Sequence, residues 1–224
     1  MAKVLHRGLV AVKPKRKHQI LKVAPAAPEA IPVNNGMTFN PLKWGGEVSK
    51  AHERRVREGL YQRYMKGTGI DIGAGGDPLP IPGVRLWDEP DGDATFMKGV
   101  ADATYDFVFS SHCLEHIQNP NAAIQHWWRI LKPGGYMILV LPHRDLYEKK
   151  RLLPSNWNEK HVNFWLPERN DPPHTFGLLT LIHANLTNWD LIGIWVCDDG
   201  HTITDPHQHS DGEYSIECVL RKRA

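Results

Sequence analysis

Between residues 47 and 66 the apolar side chains recur at a helical interval. Val48, Ala51, Val56, Leu60, Tyr61 and Tyr64 fall near one face, so EVSKAHERRVREGLYQRYMK predicts an amphipathic helix. The period then shortens. Residues 69–73 form a brief apolar strand, VRLWD at 84–88 a second, and YDFVFSS at 105–111 a third, rich in aromatic and β-branched side chains. A helix is expected over 119–131, with Asn119 as N-cap and Pro120 at the first helical position. Lys132-Pro-Gly-Gly135 ends it, and GYMILVLP at 135–142 has the near-continuous apolar run of a strand buried on both faces. A polar, Trp-rich stretch fills 143–172. The pattern closes with a helix over 175–185 and strands over 189–197 and 213–223, without internal repeats.

Strands alternating with helical segments imply an open α/β sheet, mostly parallel and flanked by helices. The last two strands have no helix between them, so they predict an antiparallel pair at one edge. On the amphipathic helix at 119–131, Trp127 is expected beneath the sheet edge and Trp128 partly exposed. In such sheets a ligand lies outside the carboxyl ends of the strands, beside the first. The loop there reads GIDIGAGGDP, residues 69–78.

Bulk composition narrows the class. The 224 residues, 41% hydrophobic and 23% charged, suit one buried domain with an appendage. No apolar run is long enough to cross a bilayer. Cys113, Cys197 and Cys218 lack metal-type spacing, and this odd, sparse set reads as reduced thiols in a cytoplasmic protein. The net charge of +2 is uneven: residues 1–30 hold seven basic side chains against one acidic, leaving −4 over the other 194. A mildly acidic body argues against a nucleic-acid surface. Residues 1–40, basic and then rich in Pro and Ala, read as a solvated arm on a domain at 41–224, with Pro14 interrupting any amphipathic targeting helix. Thirteen histidines raise the question of metal, yet HTITDPHQH at 201–209 lies in a polar loop with no helical spacing, so no metal site is assigned.

The glycine loop has a chemistry of its own. A dinucleotide-binding loop wants G-x-G-x-x-G, but here Pro78 takes the final position and Asp77 would set a carboxylate beside any phosphate. A ligand with a sulphonium, an ammonium and no phosphate suits it better, which describes S-adenosylmethionine. Asp71 can hold the ammonium or cap backbone amides. Asp88 ends the second strand, where a carboxylate accepts both ribose hydroxyls, and Asp93 in Gly92-Asp93-Ala94 can accept from an adenine amino group.

With these residues in order, the chain resembles the class I S-adenosylmethionine-dependent methyltransferases, of Rossmann-like fold. The patterns are D-x-G-x-G at Asp71–Gly75, G-D-A at 92–94, Tyr105–Ser110, L-E-H at 114–116 and L-K-P-G-G at 131–135, covering 69–142. A weaker resemblance, to a subset from bacterial surface-polysaccharide loci, rests on DLYE at 145–148, the segment from Pro154 to His161 and VLRK at 219–222. The resemblance implies cofactor contacts from Asp71, Gly73, Ala74, Gly75, Gly76, Asp88, Asp93, Ala94, Ser110, Ser111 and His112. It departs from the family where Asp88 and Asp93 stand five residues apart, too few for the usual helix and strand. The second crossover is therefore shortened to a loop, the sheet loses or shortens a strand on that side, and Asp91 competes with Asp88 for the ribose.

Methyl transfer is an in-line displacement, so alignment matters most and a base is needed only for a hydroxyl or protonated amine. Asp145, His161 and His112 are the candidate bases; His143, Tyr147, Trp157 and Asn158 are candidate acceptor contacts, unless this stretch is only a polar lid. His116 reads as structural. The expected acceptor is a small molecule or glycan-linked group, with oxygen favoured. Two alternatives stay open: a cofactor-binding module without catalysis, and a nicotinamide-type oxidoreductase, which Asp77 and Pro78 disfavour.

Overall fold

Six strands share one sheet in the computed structural model, which describes residues 46–224. They are β1 (Gly69–Ile72), β2 (Arg85–Trp87), β3 (Tyr105–Ser111), β4 (Leu131–Pro142), β7 (Trp189–Cys197) and β8 (Ser215–Lys222), in the order β2-β1-β3-β4-β8-β7. The pairs β1–β2, β1–β3 and β3–β4 are parallel, whereas β8 runs antiparallel to both β4 and β7. β5 (Phe164–Leu166) and β6 (Thr175–Gly177) form a separate parallel pair. The basic arm expected over 1–40 lies outside the described residues.

Alternation along the central strands divides the core between two faces. Val108, Met137, Leu139 and Leu141 pack on one side, beneath α4 (Pro120–Ile130) and α5 (Leu178–Asn185). Phe107, Phe109, Ile138 and Val140 pack on the other, with Val48, Tyr61 and Met65. Asn119 caps α4, its side-chain oxygen accepting from Ala122 N at 3.1 Å. Trp127 is buried as expected; Trp128 is buried too, its ring nitrogen donating to the Thr187 carbonyl.

The expected helix at 47–66 is broken into α1 (Glu47–Lys50), α2 (His52–Arg57) and α3 (Leu60–Tyr64). Gly59 sits between the last two at φ +67°, a left-handed turn that glycine adopts without steric cost. The helix expected over 175–185 starts later, at Leu178, because Thr175–Gly177 pairs with β5. The shortened second crossover is present. After β2 the chain makes a single 3-10 turn at Glu89–Asp91 and reaches β3 through further turns, and β2 is the edge strand. No described helix is long and apolar enough to cross a membrane.

Candidate active site

A cavity of about 570 Å³ opens at the carboxyl ends of β1 and β3, lined by Gly73, Gly75, Asp88, Asp93, Ala94 and His112, with Glu89, Gly92, Cys113, His116, Ile117 and Lys160. Its floor is the glycine loop. Gly73, at φ +76°, lies so close to the next wall that an added Cβ would stand 2.5 Å from the Cys113 Cβ. Gly75, at φ +52°, would point a Cβ into open space, its nearest neighbour the Gly73 carbonyl at 3.9 Å. Backbone here borders the cavity because side chains are missing.

Asp88 ties floor to wall. One carboxylate oxygen accepts from Gly75 N at 2.9 Å, the other from Glu89 N at 2.8 Å. Asp91 turns back instead, accepting from Asp88 N at 3.1 Å, and does not line the cavity. Two tryptophans fix the next segment: Trp87 donates its ring N–H to the Gly92 carbonyl at 3.0 Å, and Trp127 donates to the Ala94 carbonyl at 2.8 Å. Asp93 accepts from Thr95 N at 2.7 Å and keeps its place on the wall.

Several expected cofactor contacts lie elsewhere. Asp71 is 1% exposed and accepts from Leu79 N at 2.7 Å, so it holds the far end of the glycine loop rather than facing the cavity. Burial pushes its carboxyl up to about 7, with Asp77 and Asp88 adding to the rise and the Leu79 amide and Arg55 opposing it. Ala74 and Gly76 do not line the cavity, nor does Ser110, whose hydroxyl donates to the Ile72 carbonyl, nor the buried Ser111. Asp77, expected to face a ligand, is turned onto α1, where Ser49 N donates to it at 2.8 Å.

Beside the cavity lies a buried polar cluster. His112 follows β3 in the left-handed region, φ +51°, a strain of about 1–2 kcal/mol for a residue with a side chain. Its Nε2 meets Ser215 Oγ at 2.9 Å and its Nδ1 stands 3.5 Å from Glu115 Oε1. Burial lowers the His112 imidazole to about 4, so it is neutral near pH 7. Glu115 is fully buried, with neither carboxylate oxygen hydrogen-bonded. Burial first, then Glu47 and Glu148, push its carboxyl well above the usual range. His161 Nδ1 meets Glu148 Oε1 at 2.6 Å, while its Nε2 stands 3.9 Å from Glu115. Val162 N and Asn163 N both donate to the Glu115 carbonyl, which staples this segment onto the turn at Leu114–His116.

Of the three candidate bases, His112 lines the cavity and His161 adjoins it through this cluster. Asp145 does not: its exposed carboxylate accepts from Arg144 Nε at 2.8 Å, next to a separate cavity of about 380 Å³ lined by Arg144, Arg151, Arg169, Asn170 and Asp171. His143 is placed away from the cofactor cavity, accepting from Asp145 N at 3.2 Å. Tyr147 packs against His161, His209 and Tyr214; Trp157 packs against His209. Asn158 is spent on its own turn, accepting from Lys160 N. Sequence reasoning missed Glu115 and Glu148, and His116, read as structural, is on the cavity wall. Cys113 is there too, but burial pushes its thiol up to about 12, which leaves no thiolate.

Comparison with known proteins gives this site its class. A family model described as a methyltransferase domain matches residues 57–170, just over half of the chain, and the chain belongs to that family. A ubiquinone biosynthesis O-methyltransferase from Shewanella pealeana is 31% identical over 86 residues, spanning 35% of this chain and 35% of the relative. The match thus covers about a third of that curated relative's length. Among solved structures, a chain in the complex between the Haloferax volcanii Trm112 methyltransferase activator and a methyltransferase aligns over 79% of this chain and 94% of its own, at 10% identity and TM-score 0.50, a likeness of fold. A 1,6-didemethyltoxoflavin-N1-methyltransferase from Burkholderia thailandensis, solved with S-adenosylhomocysteine, aligns over 81% of each chain at 14% identity and TM-score 0.49. The chain is a class I methyltransferase with S-adenosylmethionine as cofactor. The cavity fits that group, having a side-chain-free floor at Gly75 and carboxylates at Asp88 and Asp93.

Proposed function

We propose that the chain methylates a hydroxyl of a small or glycan-linked acceptor. The observation that carries this reading is the buried cluster of His112, Glu115 and His161 against the cofactor cavity. A hydroxyl must lose its proton as the new bond forms, and a protein that methylated an already nucleophilic sulfur or neutral amine would need no such groups. When bound, S-adenosylmethionine supplies an electrophilic methyl group. Gly73 and Gly75 leave room for its methionine portion, Asp88 accepts from the ribose and Asp93 from the adenine. The neutral His112 faces the acceptor side of the cavity, and Tyr147 and Tyr214 back the cluster with apolar ring surface that keeps water out. Sugar-bearing acceptors are favoured by the resemblance in the DLYE and Pro154–His161 segments, both of which contribute to this cluster.

The test is transfer of labelled methyl groups from S-adenosylmethionine to panels of hydroxylated small molecules and cell-envelope glycans. An O-methyl product is expected; labelling confined to amines or thiols overturns the oxygen assignment. Gly75→Val should abolish S-adenosylhomocysteine binding while Gly76→Val, whose Cβ meets nothing within 4 Å, should not. Equal affinity in a folded Gly75→Val variant would remove the glycine loop from the site.

A further inference from the structure

We infer that Glu115, His116 and His161 hold a divalent first-row transition-metal ion at the inner wall of the cofactor cavity. One donor atom from each of the three lies within 4.8 Å of the others. Ligand distances near 2.0–2.2 Å would require these atoms to draw together by roughly 1 Å, a side-chain movement.

The tautomers suit a metal. His116 Nδ1 faces the Lys160 carbonyl at 3.1 Å, and a carbonyl oxygen can only accept, so the proton belongs on Nδ1 and the Nε2 lone pair is free. His161 repeats the arrangement, with Nδ1 on the Glu148 carboxylate at 2.6 Å and Nε2 toward Glu115. Metal-binding imidazoles are held in this way, the outer nitrogen on a carbonyl or carboxylate.

Glu115 is the independent indication. It is 0% exposed and both of its oxygens lack a hydrogen-bond partner, although His112 and His161 stand 3.5 and 3.9 Å away. Glu148 is 1% exposed and its second oxygen is also without a partner. Glu47 is paired with Lys50 at 3.1 Å and Glu148 is held through one oxygen by His161, which leaves Glu115 as the carboxyl without a partner. A dication gives the Glu115 oxygens the partner they lack. Two imidazoles and one carboxylate select zinc, manganese, iron or cobalt over magnesium or calcium.

His116 is the ligand on the cavity wall, so the ion's open positions lie on that side. An acceptor hydroxyl bound there is made more acidic and is oriented at once. This use of the ion rests on the hydroxyl-acceptor reading above; the site itself does not.

The experiment takes the full chain, treated with chelator, and titrates it with Co²⁺, followed by visible absorption, and with Zn²⁺ by calorimetry. S-adenosylhomocysteine affinity is measured on the same samples. One ion per chain is expected, with histidine-type Co²⁺ absorption bands. Glu148→Gln, which removes only the support of His161, should weaken binding about 10- to 100-fold. Glu115→Gln and His161→Ala should weaken it further, and none of the three should change S-adenosylhomocysteine affinity. The surface variant His201→Ala/His207→Ala should bind the ion as wild type does. Less than one ion per chain, or undiminished affinity in Glu115→Gln, or loss in the surface variant alone, overturns the site. Loss of S-adenosylhomocysteine binding in wild type would instead overturn the cofactor reading.

Discussion

Arg54, Arg55, Glu213 and Glu217 form one buried ionic cluster, and Glu47, Glu115, Glu148, His112 and His161 form another. In the first, two cations meet two anions. Arg54 grips Glu213 with Nε at 2.9 Å and Nη2 at 2.8 Å, and Arg55 Nε reaches Glu217 at 2.9 Å. Single atoms of Arg55 and Glu217 lack partners, yet each group is bonded through another atom. This cluster fastens α2 to β8 and the segment just before it. In the second, Glu47 pairs with Lys50 and Glu148 with His161, but Glu115 has no hydrogen bond on its carboxyl group at all. A partner for every charged group marks the first cluster as part of the fold. Incomplete pairing at a cavity wall marks the second as a place where a ligand completes the chemistry.

The largest expected effect tests this contrast directly. Glu217→Ala leaves the fully buried Arg55 uncompensated and should cost about 3–5 kcal/mol of stability. Glu115→Gln replaces a carboxyl whose charged form burial disfavours, so the unfolding midpoint should hold or rise while methyl transfer is lost. Denaturant melts and turnover on the two variants decide it. A Glu115→Gln protein as unstable as Glu217→Ala would erase the distinction between the clusters.

A smaller effect comes from Asp71, a buried carboxylate belonging to neither cluster. Its ordinary value of 3.8 is raised to about 7 in the folded chain. Between these values the native state binds the extra proton, so stability should fall as pH climbs from about 4 to 7 and level off above that. The facing groups are Arg55, Asp77, Asp88 and the Leu79 amide. Asp71→Asn keeps an acceptor for Leu79 and loses the titration. Relative to wild type it should gain about 2–3 kcal/mol between pH 5 and pH 8. A constant difference across that range would mean that Asp71 is not perturbed by burial.

The two clusters also differ in how far they could be read from the chain. The cofactor wall is written in contiguous patterns: Gly73 to Gly75, then Asp88, then Gly92-Asp93-Ala94, each a local turn whose geometry follows from residue type. The short distance from Asp88 to Asp93 even foretold the missing crossover. The buried cluster draws on residues 47, 112, 115, 148 and 161, brought together by a backbone staple between Glu115 and Val162–Asn163 that no periodicity announces. Leu114-Glu115-His116 carried one usable signal, a carboxylate flanked by an apolar residue and a histidine just after the end of a strand. In DLYE, Asp145 and Glu148 are three residues apart, and only the fold decides that Arg144 takes the first and His161 the second. Nothing in the helical pattern at 47–66 singles out Arg54 and Arg55 either, because their partners lie some 160 residues away on and beside the last strand.

Asp88 stands between the two kinds of cluster, since its carboxylate is bonded to two backbone amides and still borders the cavity. If it also accepts from the ribose, Asp88→Ala should weaken S-adenosylhomocysteine binding roughly 10- to 100-fold, the range of a charge-assisted hydrogen bond. Part of that loss could come from the glycine loop, which gives up the Gly75 contact. The 2′-deoxy analogue separates the two contributions. It should bind wild type poorly but bind Asp88→Ala almost as well as the parent ligand does, because the hydroxyl it lacks has no partner there. Asp91→Ala removes only an acceptor for Asp88 N, so it should leave both ligands discriminated as in wild type. Discrimination that survives in Asp88→Ala and vanishes in Asp91→Ala would transfer the ribose to Asp91 and require the turn at Glu89–Asp91 to rearrange when the cofactor binds.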